Sequence, residues 1–342
     1  MTEQSKAKKQ FIIFLFIAYG VTCITGIMTW YGSTIPTELS IFPSAQMFYP
    51  AAGVMLAYLL TQWKDEKLPR AFYICFLAVT FVMIIGCVMA IAAPGELISV
   101  AGQELSRWSL IGQYVMIVGT ILCWIMLLVC GRERREAYGL RWKNGKASLF
   151  CILVFLVLYF GRGILSYVLD GQADMIAEIL RNPAALGYLI VMPINFLLSC
   201  MPFFGEEYGW RYYLQPLLQK KFGMRRGVLL LGVVWGLWHI FLDFFFYTTP
   251  DRGLIMTVSQ IITCLGLGIF FGWAYLKTEN IWVPVILHYL NNNLIVVVAN
   301  EYTAGVLQNQ AVTWGMIPAA ILLNGCLFGV FILSKEFRKK EA

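Results

Sequence analysis

The chain has 342 residues, 59% of them hydrophobic and only 13% charged, with a mean hydropathy of +0.71 and a formal net charge of +7. A soluble domain carries about a quarter charged residues, so a soluble globular enzyme is excluded and an all-α polytopic membrane protein is predicted. The nine cysteines are scattered, mostly in apolar segments and with no CxxC pair, which excludes a disulfide framework and a cysteine zinc site.

A basic start, "KAKKQ", precedes an apolar run too long for a signal-peptide core, so the first span is read as uncleaved. A bilayer core about 30 Å thick needs about 20 helical residues. In chain order the qualifying segments are 11–31, 41–62, 71–94, 108–130, 147–169, 187–206, 227–247, 254–276, 281–299 and 313–334, giving about ten transmembrane helices. Residues 1–170 form an N-terminal five-span region, 187–300 hold nearly all the chemically interesting residues, and 301–342 add a last span and a basic tail.

The loop "GQADMIAEILRNPAALG" suits a short amphipathic helix, and "WRYYLQPLLQKKFG" either extends the sixth span or lies along the inner interface. Of the 26 Lys and Arg, Arg107, Arg181 and Arg252 fall in outer loops and Arg162 inside a span; all others lie in segments that face the cytoplasm if both termini do. That asymmetry predicts cytoplasmic termini and a cell-membrane location. It also accounts for the net charge, so no nucleic-acid partner is expected. The basic stretches "GRERREAYGLRWKNGK" and "QKKFGMRR" also suit anionic lipid headgroups.

Ionisable groups at membrane depth are costly and mark function. Both histidines of the chain lie within predicted spans, His239 in "WGLWHIFLDFF" and His288 in "VILHYLNNNLI". At 1.5 Å per residue they lie about 18 Å and about 10 Å from the inner side. Glu206 and Glu207 approach from that side at the end of the sixth span. His288 and Asn292 share a helix face, as do Trp235, His239 and Asp243, and Glu207 and Arg211 are spaced for an ion pair. Glu206 is turned about 100° from Glu207, so one carboxylate can be neutralised while the other faces a cavity.

Taken singly, each group has a plainer role as helix-packing histidine, interfacial ion pair or interhelical carboxamide. Taken together they suit general-base hydrolysis. A carboxylate and an imidazole take a proton from water, while a second imidazole and a carboxamide donate to an oxyanion. No serine or cysteine stands at a suggestive spacing for a nucleophile. Two histidines and a glutamate (Glu206, His239, His288) are also a possible zinc set, although the His-Glu-x-x-His helix is absent.

The motifs "EEYGWR" (Glu206 to Arg211), "WGLWH" (Trp235 to His239) and "HYLNN" (His288 to Asn292) resemble those of the CAAX-protease and bacteriocin-processing family of intramembrane endopeptidases. The pattern is Glu-Glu-x-x-x-Arg, Phe-x-x-x-His and His-x-x-x-Asn, with Trp235 here in the phenylalanine position. The resemblance covers roughly residues 190–300 and leaves the first five spans unexplained. It implies a helical membrane domain with a cavity open to the cytoplasmic leaflet. Glu206 and His239 would activate water, His288 and Asn292 would stabilise the oxyanion, and Glu207 and Arg211 would support the helix.

It also implies a membrane-anchored or small peptide substrate, no required cofactor, and a place in peptide or bacteriocin maturation or self-immunity. Two rival classes remain: a proton-coupled transporter using Glu206, His239 and Arg162, and a non-catalytic immunity or scaffold protein keeping the fold. Arg162 and Asp243 have no assigned role, a carboxylate partner for the first and orientation of His239 by the second being the simplest options.

Overall fold

The computed structural model describes residues 2–100, 103–302 and 305–338. Helix dominates. In chain order come α1 (Glu3–Gly32), α2 (Ile41–Gln46), α3 (Tyr49–Gln62), α4 (Arg70–Ala92), α5 (Arg107–Val129) and α6 (Arg132–Ala137). There follow α7 (Gly145–Leu169), α8 (Asp174–Arg181), α9 (Pro183–Ser199), α10 (Met201–Glu207), α11 (Gln215–Phe222) and α12 (Met224–Leu237). The last are α13 (Ile240–Phe245), α14 (Gly253–Thr278), α15 (Trp282–Asn293), α16 (Ile295–Val298) and α17 (Ile317–Leu327). A hairpin of Leu97–Val100 against Gln103–Ser106 precedes α5; the hydropathy pattern did not announce it.

Among the described residues six helices are long and apolar enough to cross a membrane: Glu3–Gly32, Arg70–Ala92, Arg107–Val129, Gly145–Leu169, Met224–Phe245 and Pro250–Thr278. The pair α8 and α9, bent by 63°, makes a seventh if counted as one span. Other predicted segments hold shorter apolar helices, and proline supplies a reason. Pro50, Pro202 and Pro318 stand in the first turns of α3, α10 and α17. Proline lacks an N–H and fixes φ, so it opens a helix more readily than it continues one. The expected amphipathic helix before the sixth span is present as α8.

Two compact units share the chain: residues up to Arg141 with Leu197–Tyr213, and Trp142–Phe196 with Leu214 onward. The first has an aromatic interior. Phe48, Phe72, Tyr73, Phe76, Phe204 and Tyr208 are fully buried, and Phe204 meets Phe72 edge-on at 5.7 Å, a favourable arrangement for ring quadrupoles. Lipid-facing character shows in exposed apolar side chains such as Phe16 on α1 and Phe81 on α4.

In the second unit α12 packs along α14, which also meets α15, α7 and α17. Phe155, Phe270, Phe271 and Phe328 fill its interior. The start of α7 is strapped to the end of α14. Asn144 Nδ2 donates to the Thr278 carbonyl at 2.8 Å, and Asn280 Nδ2 donates to the Lys143 carbonyl at 2.9 Å. Asn144 itself is left-handed, at φ +49°, a conformation that asparagine tolerates better than most residues.

Candidate active site

The carboxylate motif belongs to the first unit. Glu206 and Glu207 end α10, and Arg211 sits in a π-helical turn, Tyr208–Leu214; π-turns recur at functional sites. All three side chains are buried. Arg211 Nε lies 3.1 Å from Glu207 Oε2, so the ion pair predicted from spacing is made, and with no solvent exposure on either side. Glu206 has a different partner: Trp210 Nε1–H donates to its Oε2 at 3.3 Å. The two carboxylates are thus divided between a cation and an indole, as the 100° offset requires.

This segment is fixed from two sides. A Cβ on Gly205 would strike the Met47 carbonyl, and one on Gly209 would strike Pro50. The glycine pair, four residues apart, therefore lets the glutamate helix lie directly on backbone. On another side Tyr208 Oη donates to the Tyr138 carbonyl at 3.0 Å. Its hydrogen is spent there, so Tyr73 Oη donates to Tyr208 Oη across their 2.7 Å contact. Tyr138 Oη in turn donates to Asp65 Oδ2 at 2.6 Å. That hydroxyl, with the Lys67 amide, holds the Asp65 carboxyl below its ordinary value of 3.8.

The histidine motifs belong to the second unit. His239 stands at the break between α12 and α13, and His288 lies within α15. The Trp235 ring meets both imidazoles, His288 at 5.5 Å nearly edge-on and His239 at 6.2 Å. His239 Nδ1 is 2.9 Å from the Trp235 carbonyl oxygen. A carbonyl only accepts, so Nδ1 carries a proton, and whenever the ring is neutral its lone pair is at Nε2. Asn292 lies one turn beyond His288, and its Oδ1 accepts from Asn291 Nδ2 at 2.9 Å. Its own Nδ2 hydrogens are not consumed by that contact.

Another glycine pair positions the Trp235–His239 segment. Cβ atoms on Gly232 and Gly236 would come within 2.8 Å of Leu265 Cα and 2.6 Å of Ile261 Cα, so α12 approaches α14 as a small-xxx-small helix does. Both glycine spacings were readable in the sequence. Trp210, Tyr208 and Tyr73 were not, because nothing but tertiary contact distinguishes them from other core aromatics.

The two unassigned residues also find places. Arg162 Nη1 donates to Asn324 Oδ1 at 3.3 Å, and its guanidinium lies 5.0 Å from the Tyr159 ring centre. It is held by a carboxamide and an aromatic face where a carboxylate was the simplest expectation. Asp243 is fully buried on α13. The Nδ1 bond of His239 goes to Trp235, so the orienting group for that ring is the tryptophan carbonyl.

Residues 185–294 match the family model for type II CAAX prenyl endopeptidases of the Rce1-like kind. This region is similar to the CAAX-protease family. The chain is 31% identical over 106 residues to CAAX prenyl protease 2 of Methanococcus maripaludis, an alignment covering 30% of this chain and 39% of that protein. It is 21% identical over 212 residues to YdiL of Bacillus subtilis, named as a candidate membrane peptidase, covering 60% of this chain and 80% of that one. The archaeal relative is thus spanned over well under half its length. No solved structure matches the chain.

All three motifs fall inside or across the matched CAAX-protease region. Among the described residues no three His, Cys, Asp or Glu side chains gather as a metal ion's ligands would.

Proposed function

We propose that the chain is an intramembrane endopeptidase that hydrolyses a peptide bond in a membrane-associated protein or small peptide at the cytoplasmic leaflet. The observation that carries this reading is the His239 ring, whose Nδ1–H is committed to the Trp235 carbonyl, so that Nε2 is the nitrogen left to act as the base. Together with the family match over 185–294, it supports the roles carried over from the motifs.

Glu206 and His239 take a proton from water as its oxygen attacks the scissile carbonyl. His288 and the Asn292 amide donate to the oxyanion. On collapse the C–N bond breaks and the departing amine receives the proton held by the base. Glu207 and Arg211 hold the α10 segment in place. Ten spans with both termini cytoplasmic, and substrates in peptide maturation or self-immunity, belong to the same proposal.

The test is cleavage of a panel of membrane-anchored peptides by purified protein, read by mass spectrometry. Wild type is compared with Glu206→Ala and His239→Ala, each with and without a strong chelator. Cleavage lost in both variants and indifferent to chelator supports the reading as stated. Loss on chelation, restored by zinc, would replace it with a metalloenzyme. A soluble reporter cut as fast as an anchored one would sink the membrane-tethered substrate. Proton flux that depends on Glu206, without cleavage, would put the transporter in its place.

A further inference from the structure

Away from the peptidase motifs, the second unit has a shallow, open surface cavity of about 490 Å³ lined by residues that include Phe222, Arg225, Arg226, Phe337 and Arg338. It lies where α11 ends and α12 begins, at Gly223 (φ +84°). Since α12 opens the apolar segment Met224–Phe245, which is long and apolar enough to cross a membrane, the cavity stands at the end of that segment, where lipid headgroups would lie. The first-turn amides of a helix add positive potential there.

Among the described residues no carboxylate is ion-paired with any of these three arginines. The carboxylate nearest in sequence, Glu336, is already engaged by Lys277 Nζ at 3.6 Å. Three like charges beside one cavity favour an anion there. Guanidinium presents forked donors that fit phosphate oxygens better than a point charge does. The two phenylalanines, Phe222 half-exposed and Phe337 buried, supply an apolar wall beside those charges. A headgroup that continues into acyl chains requires both surfaces side by side.

We propose that this cavity binds the phosphate group of an anionic phospholipid. The positive-inside rule alone would place arginines here, but it does not require them to line a common cavity with phenylalanines. The site is separate from the peptidase residues and does not depend on the proposed reaction.

The experiment is native mass spectrometry of the full chain in neutral detergent, titrated with dioleoyl phosphatidic acid or dioleoyl phosphatidylcholine. Wild type should retain phosphatidic acid saturably and in preference to phosphatidylcholine. Arg225→Gln with Arg226→Gln should weaken that retention roughly 25-fold, at about fivefold per arginine. Replacing both with lysine should restore part of it. Equal retention by wild type and the double glutamine variant, or no preference between the lipids, would overturn the proposal. Arg338→Gln, outside any long helix, gives the same test should the double variant melt lower without lipid. Displacement by millimolar sodium phosphate would support a site for phosphate from either source, and retention against it would support the intact lipid as occupant.

Discussion

Glu207 and Arg211 form a fully buried ion pair, which makes them a test of stability rather than of chemistry. Glu207→Ala removes the carboxylate beside a buried guanidinium and should cost about 3–5 kcal/mol, read as a lowered unfolding midpoint in detergent. Asn292→Ala, at a partly exposed amide, should leave the midpoint near wild type and reduce kcat by about 10²–10³-fold, with KM little changed. A matched loss in stability at Asn292 would argue for helix packing instead. At this scale the sequence was most legible where one helix carries both partners. The Glu207–Arg211 pair and the Trp235–His239 bond follow from a four-residue spacing. The indole that meets Glu206 obeys the same spacing, yet Trp210 carries no charge to draw attention to it. Arg162 was misjudged because a lone cation suggests an anion, whereas rings and a carboxamide hold it.

Helices are positioned here by small residues. Gly205→Ala and Gly236→Ala each drive a methyl group into neighbouring backbone, Met47 for the first and Ile261 for the second. Each should cost about 1–3 kcal/mol and lower cleavage as well, since the displaced helix carries Glu206 or His239. Thermal unfolding and peptide turnover on the same preparations check both. Tyr208→Phe removes the hydroxyl that links Tyr73 to the Tyr138 carbonyl. Stranding buried polar groups this way should cost about 1–3 kcal/mol. Hydropathy located the apolar segments because burial in lipid needs only composition and length. It did not locate the breaks at Cys200, where Pro202 opens the next helix, and at His239, inside a run that stays apolar throughout.

Over the whole molecule, acid should weaken the fold in a traceable way. Burial raises the Glu336 carboxyl, but its backbone amide, Lys277, Ser334 and Trp273 together bring it below its ordinary 4.5. A depressed carboxylate contributes stability above its unfolded pKa and loses it as pH falls through the folded one. Melting midpoints should therefore drop below pH 4.5, and Glu336→Gln should flatten that limb while lowering the neutral-pH plateau. Orientation has a separate check: cysteines placed at Lys67 and Lys143 should label from the cytoplasmic side alone. Labelling of either from outside would reverse the proposed topology.

The strap joining residues 143–148 to 278–280 has a consequence for proteases. On paper, Lys143 and Lys146 make this linker an obvious place for trypsin to cut. Trypsin needs its scissile segment drawn out as an extended strand, and local opening sets how often that occurs. The Lys143 carbonyl is held by Asn280 Nδ2 and by Ser148 Oγ, and the next side chain is bound to Thr278. This basic turn of the second unit is therefore among the last to be nicked. Asn280→Ala should convert it into an early cut, splitting the chain after Lys143 or Lys146 ahead of the body of α7.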